Sequence, residues 1–285
     1  LVDFDMKPKM VISFSGGRTS GFMTKWLLDN KSDEFEFLVI FANTGQEHKK
    51  TLEFVNNCDK HFGFNTVWVE AIVHHNERKG NTHKVVTFET ASRQGEPFEE
   101  IIRKHGIPNQ AFPHCTRELK LAPINSYVKS IGWKKRDILT AIGIRTDETR
   151  RVRKDATKAN IIYPLVDMYP IDKQGVLDWW AQQPFDLNIM EHHGNCTWCW
   201  KKSLKKHLML VNEMPEIFDF PRYIEKMYPH VGPHKDKSVA RTFFRGRRST
   251  EDLFRLSEQD DDVIIDDINS GCGESCELYT TENIK

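Results

Sequence analysis

Up to about residue 172, apolar and polar positions fall into two alternating patterns. Dense apolar runs stand at residues 11–14, 37–42, 66–71 and 138–142. Between them, stretches such as 47–61 and 116–131 place apolar residues three and four positions apart. Compact runs bounded by turn residues predict strands, and the wider spacing predicts amphipathic helices. Their alternation predicts an α/β fold, a parallel twisted sheet with crossover helices on its flanks. Residues 73–95 are polar and rich in His, Asn, Lys and Gly, and predict an excursion from the sheet with a hairpin around 84–88. From residue 173 the alternation stops, and helices are expected at 176–182, 197–212, 215–228 and 250–257. The expected organisation is therefore an α/β domain over 1–172, a mostly helical region over 173–257 and a tail over 258–285. That tail is acidic at first and ends in Gly271-Cys272-Gly273-Glu274-Ser275-Cys276, a composition expected to be loosely ordered unless a metal or partner fixes it.

In parallel sheets, ligands sit beyond the carboxyl ends of the strands. The first strand is followed by Ser15-Gly16-Gly17-Arg18-Thr19-Ser20, the second by Asn43-Thr44-Gly45-Gln46-Glu47, and the fourth by Gly143-Ile144-Arg145-Thr146-Asp147-Glu148. All three are polar or glycine-bearing and are expected to converge on one crevice. The first has the makings of an anion site. Amides at a helix start lack intrahelical partners, the helix dipole adds partial positive charge, and glycines let an oxyanion approach the backbone. Ser15, Thr19 and Ser20 add hydroxyls and Arg18 a charge, so a nucleotide's phosphate chain is the expected ligand. The stretch is neither the G-x-G-x-x-G fingerprint nor a Walker A loop.

The 285 residues carry 41 Lys+Arg and 41 Asp+Glu, so global charge makes no case for nucleic acid and any such case must be local. No apolar run is long enough to span a bilayer and no signal-peptide pattern opens the chain, so a soluble cytoplasmic protein is expected. Six cysteines in such a chain point to metal or redox use for the clustered ones rather than to disulfides. Cys58, within a helical stretch, is expected in the core.

Taken in order, the 15–20 loop, Asn43-Thr44-Gly45, the Cys115 segment and the Gly-Ile-Arg-x-x-Glu run with Arg150 and Arg151 after it resemble the PP-loop superfamily of adenine nucleotide α-hydrolases. The nearest branch is the phosphoadenosine phosphosulfate (PAPS) reductase family, and the resemblance covers roughly residues 9–211. It implies an adenine nucleotide, ATP or PAPS, bound by Ser13, Ser15, Gly16, Gly17, Arg18, Thr19, Ser20, Asn43, Thr44, Gly45, Gly143, Arg145 and Arg151. Arg145, Ser20 and Glu148 are the expected catalytic residues; an arginine fork suits phosphate or sulfate oxygens. The chain departs from the pattern twice: Thr19 stands where ATP-using members commonly carry Asp, and Asn43 where the family often has Asp. Both changes remove an anion near the phosphates and bear on Mg2+ placement, for which Asp147 or Glu148 could compensate.

Cys196-Thr197-Trp198-Cys199 is a C-x-x-C whose thiolates can converge on one metal, with Cys115 as a third ligand. Within the family this combination looks like an iron–sulfur site, and four-cysteine members hold a complete [4Fe–4S] set. Three cysteines would leave one iron open to exogenous sulfur, as in PP-loop sulfur transferases; otherwise Cys272, Cys276 or His114 supplies the fourth ligand. Zinc held by the three cysteines with His114 or His193, a metal-free redox pair, and plain buried thiols are the alternatives.

Basic residues interleave with aromatics at 201–207 and in Arg241-Thr242-Phe243-Phe244-Arg245-Gly246-Arg247-Arg248. They allow a nucleic-acid partner, although a solvated face is the favoured expectation. Trp179, Trp180, Trp198 and Trp200 are expected in the core or shielding a site. The leading functional expectation is ATP-dependent adenylation of an acceptor coupled to sulfur transfer, with a sulfur donor protein as partner. A sulfonucleotide reductase producing sulfite ranks second, because Glu277 beside Cys276 would raise that thiol's pKa. A nucleotide- or nucleic-acid-binding factor without turnover ranks third.

Overall fold

A computed structural model of the protein describes residues 7–75, 79–194, 196–232 and 238–259. The strands are β1 (Lys9–Ser13), β2 (Glu36–Ala42), β3 (Val67–Ile72), β4 (Thr82–Val86), β5 (Ile138–Ala141) and β6 (Ile161–Ile162). The helices are α1 (Arg18–Lys31), α2 (Lys49–Phe62), α3 (Glu96–His105), α4 (Ala122–Ser130), α5 (Pro164–Asp167), α6 (Lys173–Trp180), α7 (Leu204–Glu213), α8 (Asp219–Met227) and α9 (Thr250–Glu258). One six-stranded sheet runs in the order β4-β3-β2-β1-β5-β6. Every neighbouring pair is parallel except β3 and β4.

Strand alternation sorts the core into two layers. Met10, Ile12 and Phe14 share one apolar cluster with Phe22, Met23 and Leu27 of α1, Leu52, Phe54, Val55 and Cys58 of α2, and Val176 and Trp180 of α6. Val11, Ile40, Ala42 and Val69 instead share a cluster with Ile124 and Val128 of α4. Each such side chain contributes about 1.5–3 kcal/mol by leaving water. Packing is continuous across residue 172, since α6 belongs to the first cluster. A third cluster joins Phe98, Ile101 and Ile102 of α3 to Trp198, Trp200, Phe218, Phe243, Phe244 and Leu253.

Three expectations change. The 73–95 excursion returns to the sheet as the antiparallel edge strand β4, with Lys84 directly opposite Glu70 and its Nζ 2.8 Å from the Glu70 carboxylate. Opposite charges across a strand pair stabilise that register. The helix expected from residue 197 starts at Leu204, where Ser203 caps it by accepting from the Lys206 amide. Residues 196–202 form turns instead, because Trp198 and Trp200 turn into the core and the buried Lys202 Nζ donates to the Gly194 and Cys196 carbonyls at 2.6 and 3.3 Å. The helix expected at 116–131 opens with a π-helical turn, Arg117–Leu121, ahead of α4. Pro123 has no amide to continue the regular ladder, which favours the wider turn there. Cys272 and Cys276 lie outside the described residues.

Candidate active site

Residues 14–17 carry the chain from β1 into α1. Gly16 has φ +82°, and a Cβ there would lie 2.7 Å from Thr51 Cγ2, so the turn demands glycine. Gly17, the N-cap of α1, has no side chain to satisfy the first-turn amides. Hydroxyls close the loop: Ser15 Oγ and Ser20 Oγ stand 2.8 Å apart, and Ser20 Oγ also accepts from the Ser15 amide and donates to the Gly17 carbonyl. Ser20 is fully buried, so its hydroxyl holds the loop's shape. Ser13, on the opposite face of β1 from Met10 and Ile12, lines a cavity with Val11, Ile124 and Thr140.

The arginines have defined partners. Arg18 grips both oxygens of Asp186 at 2.7 Å, and Trp180 Nε1 donates to its carbonyl at 2.9 Å, which ties α1 to α6 and the segment after it. Burial pushes the Asp186 carboxyl up, but the hydrogen bonds from Arg18 and the backbone outweigh it and the pKa falls. Arg145, beyond β5, donates through Nη1 to Thr19 Oγ1 at 2.9 Å, joining the third loop to the first. Its Nε and Nη2 hold Asp147 at 2.9 and 3.0 Å, and this bond lowers the Asp147 pKa. Glu148 accepts from Arg151 Nη1 at 2.6 Å and lies 3.4 Å from Arg145 Nη1. Both carboxylates expected to stand in as Mg2+ ligands are thus engaged by arginines. Gly143 lies against the helix start; a Cβ there would be 3.1 Å from Ser20 Cα.

The second loop is organised by Glu70, a fully buried carboxylate of β3. It accepts from Asn43 Nδ2 at 2.6 Å, from the Ser92 amide at 2.6 Å and from Ser92 Oγ at 2.9 Å. Asn43 Oδ1 in turn accepts from the Gly45 amide. Thr44 donates its amide and hydroxyl to the two oxygens of Glu47 at 2.9 and 2.8 Å. The same loop docks the C-x-x-C: the Thr197 amide donates to the Gln46 carbonyl at 3.0 Å, Trp198 Nε1 to Gln46 Oε1 at 2.6 Å, and Glu47 bridges Cys196. Thr44 Oγ1 lies 3.5 Å from Cys196 Sγ.

Cys115, Cys196 and Cys199 line one cavity, walled by Phe98, Leu119, Trp198 and Trp200, with Lys120 and Lys201 also on its lining. Burial pushes the Cys196 thiol well up, and the Glu47 carboxylate adds to the shift. A thiol there stays protonated at neutral pH unless a metal displaces its proton. Three thiols facing one cavity are a donor set that fits an iron–sulfur cluster or zinc. His207 Nε2, from α7, lies 3.0 Å from the Cys199 carbonyl, and burial lowers its pKa to about 3. His114 does not line the cavity; its buried Nε2 has no hydrogen-bond partner, and its ring lies 5.6 Å from that of His105. His193, the other histidine considered for zinc, pairs with Glu213. Cys58 is buried in the core.

Within 241–248, the two aromatics and Arg241 are structural. Phe243 and Phe244 are buried, with Phe243 packed 4.7 Å from Trp198, so neither ring can stack a base. Arg241 spans the carbonyls of His105, Val231 and Ile107 and lies over Phe112. Glu70, Ser92 and Asp186 are site residues that sequence reasoning missed. A lone Glu within the apolar 66–71 run was the one signal available; Asp186 carried none.

A mostly parallel sheet whose first strand opens through a glycine- and hydroxyl-bearing loop into a helix N-terminus is the arrangement of a PP-loop-type α/β fold. The phosphoadenosine phosphosulfate reductase domain model matches residues 9–173, and the chain belongs to this family. The nin region protein ORF290 of Escherichia phage lambda, described as uncharacterised, is 30% identical over 285 residues and covers 94% of each chain. An uncharacterised protein of Methanocaldococcus jannaschii is 31% identical over 170 residues, which are 59% of this chain and 32% of its own length. The phosphate complex of PAPS reductase from Candida auris matches with a TM-score of 0.35 and 16% identity, covering 61% of this chain and 72% of that one. Among the described residues, no helix is long and apolar enough to cross a membrane.

Proposed function

We propose that this chain is an ATP-dependent adenylating enzyme that couples activation of an acceptor to sulfur transfer. The observation that carries the proposal is the docking of the C-x-x-C onto Gln46 and Glu47 of the loop after β2, with Cys115 lining the same cavity as Cys196 and Cys199. Sulfur chemistry and nucleotide chemistry would then share one crevice. The 15–20 loop and the α1 N-terminus would hold the phosphates, and Arg145, already at Thr19, would release Asp147 and turn its fork toward the α-phosphate. An acceptor oxygen attacks the α-phosphorus, pyrophosphate leaves, and a sulfide-level nucleophile from a donor then displaces AMP. The chain contributes positioning and charge stabilisation.

Cys115, Cys196 and Cys199 would hold a [4Fe–4S] cluster, which when bound supplies an iron with a position open to exogenous sulfur. A cysteine ahead of the 116–131 helical stretch together with a later C-x-x-C resembles the iron–sulfur pattern of this family, which supports the cluster over zinc.

The test measures pyrophosphate and AMP from ATP, and sulfite from PAPS, on anaerobically purified protein. Pyrophosphate release is expected, with Arg145→Lys reducing its rate by about 10²–10³-fold. The family description keeps sulfonucleotide reduction as a second reading; sulfite release that requires Cys276 would replace the first with it. Tight ATP binding with no product of either kind would leave a binding factor without turnover.

A further inference from the structure

His192 and His193 are neighbours in sequence, yet both rings aim at one atom. His192 Nε2 lies 2.7 Å and His193 Nε2 2.9 Å from the same Oε2 of Glu213. The 3₁₀ turn Glu191–His193 brings the rings together, 4.4 Å apart and tilted by 68°, and Glu213 is the last residue of α7. All three ligand atoms lie within 4.8 Å of one another. The adjacent carboxylate is already committed, because Glu191 pairs with Lys173 at 2.7 Å and Lys206 at 3.1 Å.

We propose that His192, His193 and Glu213 form a second metal site, separate from the thiols, for one divalent transition ion of the zinc type. Without a cation, two imidazole Nε2–H groups can share the carboxylate oxygen; a cation takes the place of those two protons, and each ring binds it as a neutral ligand with its proton on Nδ1, reached by tautomer exchange of a neutral ring or by proton release from an imidazolium. Two imidazoles and one carboxylate suit Zn2+ or Co2+ and not Mg2+ or Ca2+, which prefer all-oxygen sets. Bonds of about 2.0–2.2 Å in a tetrahedron separate ligand atoms by about 3.4 Å. The two nitrogen–oxygen contacts therefore have to open by roughly 0.5–0.7 Å, and the Glu213 side chain, 42% exposed, has room to move. Three protein ligands leave a coordination position for a ligand from solution. The His193 ring lies parallel to that of His48, 5.9 Å away, which restrains its orientation.

The position gives the site a structural consequence. Gly194 and the C-x-x-C follow directly, and α7 already reaches the Cys199 carbonyl through His207. An ion at Glu213 would pin the approach to Cys196 onto the same helix that supports Cys199. It would also make zinc content a misleading guide to the thiols.

The experiment titrates Co2+ into a chain carrying Cys115→Ser, Cys196→Ser and Cys199→Ser, followed by displacement with Zn2+. One ion per chain is expected, with weak visible d–d bands and no intense thiolate-to-cobalt charge transfer. Glu213→Gln and His193→Ala should each weaken binding by about tenfold or more, with metal-free circular dichroism unchanged. Should the triple variant not fold, the same titration of the otherwise wild-type chain with and without Glu213→Gln isolates the thiolate-free component by difference. Absence of that component, or its persistence at full strength in both Glu213→Gln and His193→Ala, overturns the proposal.

Discussion

Asn43 is fully buried with its amide nitrogen 2.6 Å from Glu70 Oε1, so a carboxylate at this position would meet another carboxylate out of reach of water. The amide donates where an ionised acid would repel, which favours Asn at this position. Asn43→Asp is expected to lower stability by about 3 kcal/mol at neutral pH, measured by urea denaturation. Adding Glu70→Gln should recover part of the loss, because one of the two charges is then gone. A single variant as stable as wild type would mean that Lys84, 2.8 Å from Glu70, neutralises the pair. The residue types at the other loop positions after the strands were legible from sequence because each carries its chemistry locally. Their partners were not: Arg18 finds Asp186, and Arg145 finds Thr19, across 168 and 126 positions of chain.

At the scale of elements, the β1–α1 turn is set by Gly16 and by α2 packed beneath it. Gly16→Ala adds strain at positive φ and a methyl against Thr51 Cγ2, and should cost about 1–3 kcal/mol in thermal or urea denaturation. Pairing it with Thr51→Ser should relieve the collision and leave the backbone strain; no relief at all would locate the cost elsewhere. The junction of α8 and α9 depends on Glu225, whose carboxylate accepts the Phe243 amide at 3.0 Å and the Thr250 amide at 2.8 Å. Burial raises its pKa above the ordinary Glu value of 4.5. The folded state therefore holds this proton more tightly than the unfolded chain, and the stability linked to it is fully present below pH 4.5 and is lost as pH rises through the folded pKa. Glu225→Gln should accordingly destabilise more near pH 4.5 than at pH 7, when urea midpoints of variant and wild type are compared. The opposite order would contradict the assignment. β1, β2, β3 and β5 were readable from apolar runs. β4 was misplaced because an edge strand with exposed Lys84 and Val85 looks like a polar loop until its partner is known, and β6 spans too few residues to show a period.

Across the whole molecule, the cavity between the sheet's second loop and the helical layer draws its three thiols from residues 115, 196 and 199. Anaerobic reconstitution with iron and sulfide should produce broad visible absorbance and bound iron. Cys115→Ser, Cys196→Ser and Cys199→Ser should each abolish or sharply reduce both, while Cys58→Ser, altering a thiol buried in the core, should leave them intact. Iron that binds equally well to all four variants would remove the cluster from the proposed function. The sequence by itself determined the α/β class, the glycine-bearing turn after the first strand and the family, because strand length, helical period and a glycine-bearing turn are properties of contiguous residues. Only the tertiary structure decided that β4 completes the sheet and that Glu70 organises the second loop. It likewise decided that Phe243 and Phe244 belong to the core, and that His193 turns to Glu213. Each of these depends on contacts between distant segments, whose pairing is set by packing and by the need to satisfy buried polar groups, and no local pattern records it.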